Sequence, residues 1–396
     1  MGESKTHEAR EERDGYEDMP AEIGFSNALP NPYAGRSNPY AGRPDPCVTE
    51  LVANAEYVSE GVARAGGRIQ SSDGASRLRV LTWIPLQGEF RGIVQIVHGM
   101  AEHAGRYEGF AIRLARAGFL VVGEDHVGHG ESVGTPDKLG HLPLNGADVL
   151  ANDTNYVGRL YRAAYPELPF FLFGHSMGSF IARRCCAEFG RDLDGAILCG
   201  TGSVPLAVSK AANALCKMLA RTKGPEYRSE KIDALGAGGY AKGIPNAQDE
   251  YDWLSVSREN VRQYRSDPLC GALFSVGGYA ALTALTAEVA TLRHARRVPS
   301  GLPMLFVSGG MDPVGECGKG VVEACELYRE AGVLDCRMRL YPGLRHEILN
   351  EDAHEEVEAD ILEWIEGHLP KKEAESESAG SAAEPKSSAS SCKKEN

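Results

Sequence analysis

Phe170-Phe171-Leu172-Phe173-Gly174-His175-Ser176-Met177-Gly178-Ser179 decides the reading of this chain. Four apolar residues make a short buried strand, Gly-x-Ser-x-Gly follows at once, and Phe180-Ile181-Ala182-Arg183-Arg184 opens a helical pattern. Strand, sharp turn and helix is the setting of a nucleophile elbow. Such a turn leaves no room for side chains beside the serine, which gives Gly174 and Gly178 a steric reason. The helix behind Ser176 then aims its first N–H groups at the reaction centre.

The three-letter pattern alone is weak, because 46 of the 396 residues are glycine. A second match, Gly130-Glu131-Ser132-Val133-Gly134, acts as an internal control. No apolar run ends at Gly130, and Thr135-Pro136-Asp137 does not begin a helix. Context selects Ser176 and rejects Ser132.

Bulk properties narrow the function classes. An apolar content of 42% fills a sizeable core, and a net charge of -13 argues against general nucleic-acid binding. There is no run of 18 apolar residues and no secretory h-region in the charged first 18 residues, so a cytoplasmic protein is expected. Met1-Gly2-Glu3-Ser4-Lys5-Thr6 fits a myristoylation pattern formally, but a stable anchor needs a second signal. Ten cysteines without C-x-x-C spacing are expected to be reduced.

Residues 1–54 are expected to form a disordered tail that carries the repeat Asn31-Pro32-Tyr33-Ala34-Gly35-Arg36 and Asn38-Pro39-Tyr40-Ala41-Gly42-Arg43. Residues 371–396, rich in Ser, Ala, Glu and Lys, form a second tail. Between them, strands at 78–84, 93–97, 119–122, 170–173, 196–199, 304–307 and 336–341 alternate with helical patterns, including 150–165 and 355–369. Alternating βα units predict an α/β fold with a mostly parallel central sheet and helices on both faces. The core is expected over 55–202 and 303–370. Residues 203–302 break the rhythm and read as a helical cap, with apolar clusters at Leu215, Met218 and Leu219 and at Leu269, Leu273 and Phe274.

A serine hydroxyl needs a base, and the base needs a carboxylate to orient it. Asp312 lies on the Gly-rich loop after the 304–307 strand, and His346 on the loop after 336–341. The order Ser176, Asp312, His346, each at a strand end, selects these residues. Position also favours His346 among eleven histidines; His354 lies at a polar helix start and should face solvent. The oxyanion donors are expected to be the backbone N–H groups of Met177 and of Met100, the latter in the turn after 93–97.

His98-Gly99-x-x-Glu102-His103-x-x-Arg106-Tyr107, Asp125-His126-x-Gly128-His129-Gly130-x-Ser132 and Gly174-His175-Ser176-Met177-Gly178 together resemble the monoacylglycerol lipase and lysophospholipase branch of the α/β-hydrolases, also called serine aminopeptidase-like. The likeness spans about residues 55–370 and is least in the cap. It implies an α/β-hydrolase fold, Ser176, Asp312 and His346 as the triad, and Met100 and Met177 as oxyanion amides. Ser179 stands where such elbows often carry a second glycine. The resemblance assigns His98, His103, His126 and His129 to loops that shape the site, and glycines among them forbid a helical ligand face. No metal and no cofactor are expected.

The expected activity is a serine carboxylic-ester hydrolase that forms an acyl-enzyme on small-molecule acyl esters, with fatty-acyl monoesters such as monoacylglycerols or lysophospholipids favoured. An exopeptidase would need an acidic site for a substrate amine, for which Asp249, Glu250 and Asp252 are candidates. A third reading is a catalytically inactive binding module. A transient membrane-surface contact through the cap is the remaining partner expectation; the sequence leaves the oligomeric state open.

Overall fold

The computed structural model describes residues 48–52 and 54–370. The expectations for the repeat and the C-terminal tail lie outside them. So does most of the N-terminal tail, but its end is structured: helix α1 (Val48–Val52) buries Val48 and Leu51. Leu51 lies over Gly67, where a Cβ would come within 2.5 Å of its side chain. That packing places ordered structure before residue 55.

The strands are β1 (Glu56–Ser59), β2 (Val62–Gln70), β3 (Arg77–Pro85), β4 (Gly92–Val97), β5 (Phe119–Glu124), β6 (Phe170–His175), β7 (Gly195–Cys199), β8 (Met304–Gly309) and β9 (Cys336–Tyr341). The longer of the further helices are α2 (Glu108–Arg116), α3 (Gly146–Ala164), α4 (Met177–Phe189), α5 (Leu206–Lys223), α6 (Arg258–Ser266), α7 (Val276–Val289), α8 (Lys319–Glu330) and α9 (His354–Gly367). The sheet order is β1-β2-β3-β5-β4-β6-β7-β8-β9. Pairing is antiparallel from β1 through β3 to β5, and parallel from β5 to β9.

Every residue of β4, β5, β6, β7 and β8 is buried. Covered on both faces, these strands have no polar side, so they read as continuous apolar runs. Alternation sorts their side chains. Phe171, Phe173, Ile197 and Val307 join Phe110 and Leu114 of α2 and Val357, Ile361 and Trp364 of α9 in one core layer. Their neighbours point the other way: Phe170 meets α3 at Gly158, and Phe306 stacks on Tyr328 of α8 at 5.8 Å. Each fully buried Phe or Leu contributes about 1.5–3 kcal/mol. The edge strand β9 alternates instead, turning Arg337 and Arg339 outward, which guards the edge against further pairing.

Helices α5, α6 and α7 lie in the excursion between β7 and β8. Leu215 and Met218 of α5, expected in an apolar cluster, face outward, whereas Phe274 is fully buried. No helix among the described residues is long and apolar enough to cross a membrane.

Candidate active site

Ser176 stands between the end of β6 and the start of α4 with φ 53° and ψ −121°. A left-handed φ on a non-glycine residue is strained by about 1–3 kcal/mol. The surroundings impose it. Ser176 N–H donates to the Cys199 carbonyl (2.9 Å). A Cβ on Gly174 would lie 2.4 Å from the Gly178 carbonyl, and one on Gly178 2.0 Å from that of Val97. Both flanking glycines are therefore sterically required. Ser179 is tolerated because its hydroxyl donates to the Ser176 carbonyl at 2.6 Å. Among the described residues no hydrogen bond engages the Ser176 hydroxyl, which leaves it free to react.

Asp312 and His346 meet at the same end of the sheet. Asp312 is fully buried, and its Oδ2 accepts from His346 Nδ1–H (2.9 Å) and Ser308 Oγ–H (3.1 Å). Its Oδ1 accepts from Val314 N–H (2.9 Å). With a proton held on Nδ1, the neutral imidazole keeps its basic lone pair on Nε2. The His346 ring has two ring neighbours: His175 at 4.6 Å and Trp253 at 5.1 Å between centroids. Asp312 and His346 are thus brought together by the β8 and β9 loops, and the His346 ring lies against His175, the residue before Ser176 at the end of β6. His354 does not join them; its ring nitrogen bonds the Glu351 carbonyl (2.8 Å).

The turn after β4 packs on the serine. A Cβ on Gly99 would lie 3.0 Å from Ser176 Cβ. Ala101 takes φ 55°, and its carbonyl accepts from Tyr264 O–H and Gly271 N–H, both at 2.9 Å. Gly99 N–H is already engaged by Glu102 Oε1 (2.6 Å), leaving Met100 as the next amide in the turn. Met177 is the first residue of α4.

Beneath this turn lies a buried charge cluster that sequence reasoning missed. Glu102 Oε1 also accepts from Tyr107 O–H (2.8 Å) and His175 Nδ1–H (3.2 Å), while Arg106 spans Glu102 (3.5 Å) and Glu347 (2.5 Å). Burial raises the Glu102 pKa, but His175, Arg106 and Tyr107 outweigh it and hold the carboxyl down at about 2. Burial lowers that of His175, yet the hydrogen bond and charge of Glu102 win and raise it. The second ring nitrogen, Nε2, donates to the His346 carbonyl (3.2 Å). Both partners are acceptors, an arrangement that favours the doubly protonated ring. The one hint in the sequence is the Glu102/Arg106 spacing of four residues.

His98, His126 and His129 stack with centroids 4.0–6.0 Å apart. Burial lowers all three, His126 to about 3, so they are neutral. His98 Nδ1–H donates to the Gly99 carbonyl (2.8 Å) and Nε2 accepts from His126 N–H (3.0 Å). These bonds fix the loops. Among the described residues, the set with three ligand atoms within 4.8 Å of one another is His103, Asp267 and Cys270. His103 Nε2 is hydrogen-bonded to Asp267 Oδ2 (2.9 Å), and the neighbouring Arg106 guanidinium opposes a cation there.

The family model described as serine aminopeptidase, S33, matches residues 88–353. The chain belongs to that hydrolase family. It is 30% identical over 298 residues to a monoacylglycerol lipase of Mycolicibacterium smegmatis, covering 75% of this chain and 95% of that protein. It is 29% identical to the monoglyceride lipase of Rattus norvegicus, over 72% of this chain and 84% of that one. Among solved structures, a carboxyl esterase from Bacillus coagulans superposes with a TM-score of 0.73 at 30% identity, covering 78% of this chain and 99% of the other. The fold is that of the α/β-hydrolases. The chain is therefore a hydrolase among esterases and lipases.

Proposed function

We propose that this protein is a serine hydrolase of carboxylic esters that works through an acyl-enzyme. The observations that carry the reading are the strained Ser176 with its hydroxyl unengaged and the buried His346–Asp312 pair, whose imidazole lies against the ring of the adjacent His175. Ser176 Oγ attacks the acyl carbonyl and passes its proton to His346 Nε2. The carbonyl π electrons move to oxygen, which the Met100 and Met177 amides receive. Collapse expels the alcohol, protonated by His346. Water then repeats the sequence on the acyl-enzyme and releases the acid. Asp312 offsets the imidazolium charge in both halves.

The substrates we propose are fatty-acyl monoesters, monoacylglycerols first, as for the relatives named above. An exopeptidase is disfavoured: Asp252 is held by Arg258 (2.5 Å) and Asp249 by Arg265 (2.7 Å), which leaves Glu250 as the free carboxylate of the three candidates for a substrate amine. Residues 203–302 act as the cap over the site, and the protein works in the cytoplasm. The outward face of α5 exposes Val208, Leu215 and Met218 beside Lys210, Lys217, Arg221 and Lys223, with no carboxylate in the helix. That pairing of apolar and basic groups supports transient contact with an anionic lipid surface. Loss of vesicle co-sedimentation in Leu215→Asp/Met218→Asp is the expected outcome.

The decisive experiment is fluorophosphonate labelling followed by a panel of glycerol and aryl esters from acetyl to oleoyl. Labelling that Ser176→Ala abolishes, with turnover rising towards long chains, is expected. Wild type that does not label sinks the enzyme reading, and a sharp preference for acetyl sinks the lipid one.

A further inference from the structure

Trp253 belongs to the excursion between β7 and β8, and the structure also ties its turn to the loop of the base. Glu347 N–H donates to the Leu254 carbonyl (2.7 Å). Arg345 Nη1 donates to the Asp252 (2.5 Å) and Ser255 (3.1 Å) carbonyls. Glu351 accepts from Ser255 O–H (2.6 Å) and from the Val256 and Ser257 amides (3.0 and 3.1 Å). The turn at 252–257 is thus stitched to residues 345–351 on both sides of His346. Such density of buried bonds specifies one geometry.

The indole of Trp253 lies 5.1 Å from the His346 ring at 40°, and the His175 ring lies 4.6 Å from it. Tyr240 backs the indole at 5.1 Å. Other ionisable groups arrive from every side: Asp312 at Nδ1 from the β8 loop, and Glu102, Arg106 and Glu347 behind His175. Glu102 raises the pKa of His175, and a proton on that ring opposes a second charge on His346. The indole face opposes nothing and attracts a cation.

We propose that Trp253 is a positioning residue for His346, holding the imidazole against Asp312 and stabilising the imidazolium that forms when Ser176 Oγ gives its proton to Nε2. The inference rests on the reading of Ser176 and His346 as nucleophile and base. It makes the 252–257 turn part of the catalytic apparatus instead of a cover over it. An indole over a desolvated cation is worth a factor of roughly three to thirty.

The test compares wild type, Trp253→Phe and Trp253→Leu on a short soluble ester, with rates normalised to fluorophosphonate-titrated sites so that only folded enzyme counts. Trp253→Leu should lower kcat about tenfold at neutral pH with KM within about twofold. The acid limb of its kcat/KM profile should move to lower pH by up to about one unit, because protonating His346 becomes harder. Trp253→Phe keeps a π face and should recover most of the rate. A Leu variant with wild-type kcat and an unmoved acid limb overturns the proposal. So does a loss confined to KM, which assigns Trp253 to substrate contact alone. Wild type that titrates no site overturns the parent reading and this inference with it.

Discussion

Gly174-His175-Ser176-Met177-Gly178 and Gly130-Glu131-Ser132-Val133-Gly134 share one spacing and meet opposite fates. In the first, the serine takes a left-handed φ and keeps its hydroxyl unengaged. In the second, Ser132 closes a short 3₁₀ turn (Gly130–Ser132); its hydroxyl donates to the Asp125 carbonyl (2.6 Å) and accepts from Arg79 N–H (2.8 Å). One serine is strained and free, the other relaxed and bonded. The difference lies upstream. A fully buried strand runs straight into Ser176, whereas Ser132 follows a loop and pins that loop to β3. A motif is reactive where the fold denies the serine other partners.

Three experiments press on this contrast. The largest effect belongs to the serines. Ser176→Ala should lose on the order of a million-fold in turnover, by analogy with serine proteases. Ser132→Ala should keep turnover within about twofold but lose about 1–3 kcal/mol in urea unfolding, since Arg79 N–H is left without its acceptor. Equal losses of turnover would end the distinction.

The glycines come next. A methyl on Gly178 meets backbone oxygen at 2.0 Å, so Gly178→Ala should cost about 4 kcal/mol or prevent labelling altogether. A methyl on Gly134 meets nothing within 4 Å, and Gly134→Ala should change stability by no more than about 0.5 kcal/mol. Thermal melts of the two variants read the comparison directly.

A smaller effect, about 3 kcal/mol, is expected for Glu102→Gln, which leaves the His175 charge without its carboxylate. The sign depends on pH. Glu102 is depressed from 4.5 to about 2, so its contribution is complete above pH 4.5 and fades as pH falls towards 2. His175 is raised above 6.5, so its share is complete below that pH and fades as pH rises through the raised value. The stability gap between wild type and variant should peak between those limits and narrow on acidification. A gap flat from pH 6 down to about 2.5 would mean that the two groups are not paired.

Much of the site could be read before the fold was known. Ser176 and Asp312 follow fully buried apolar runs, and His346 follows an alternating edge strand, so strand ends located them. The strands β4 to β8 were legible as apolar runs, and β9 by its alternation. The first two strands were not. Gly66, Gly67, Arg64 and Arg68 break up the apolar pattern of β2, and the reason for Gly67 is a neighbour, Leu51, that only packing reveals. The helical excursion misled in a different way, because Leu215 and Met218 are spaced like core residues yet face outward.

By itself, the sequence determined the order of the elements, the elbow and the residues proposed to react. These follow from local rules: burial sets hydrophobic period, and a tight turn demands glycine. The tertiary structure alone decided that Glu102, Arg106, His175 and Glu347 share one buried network, and that Trp253 lies against His346. These residues are separated by up to 245 positions, the distance from Glu102 to Glu347 in the chain. Beyond the four-residue spacing of Glu102 and Arg106, no local pattern couples them. Desolvated charges and ring faces interact only once the chain has folded and removed the water between them.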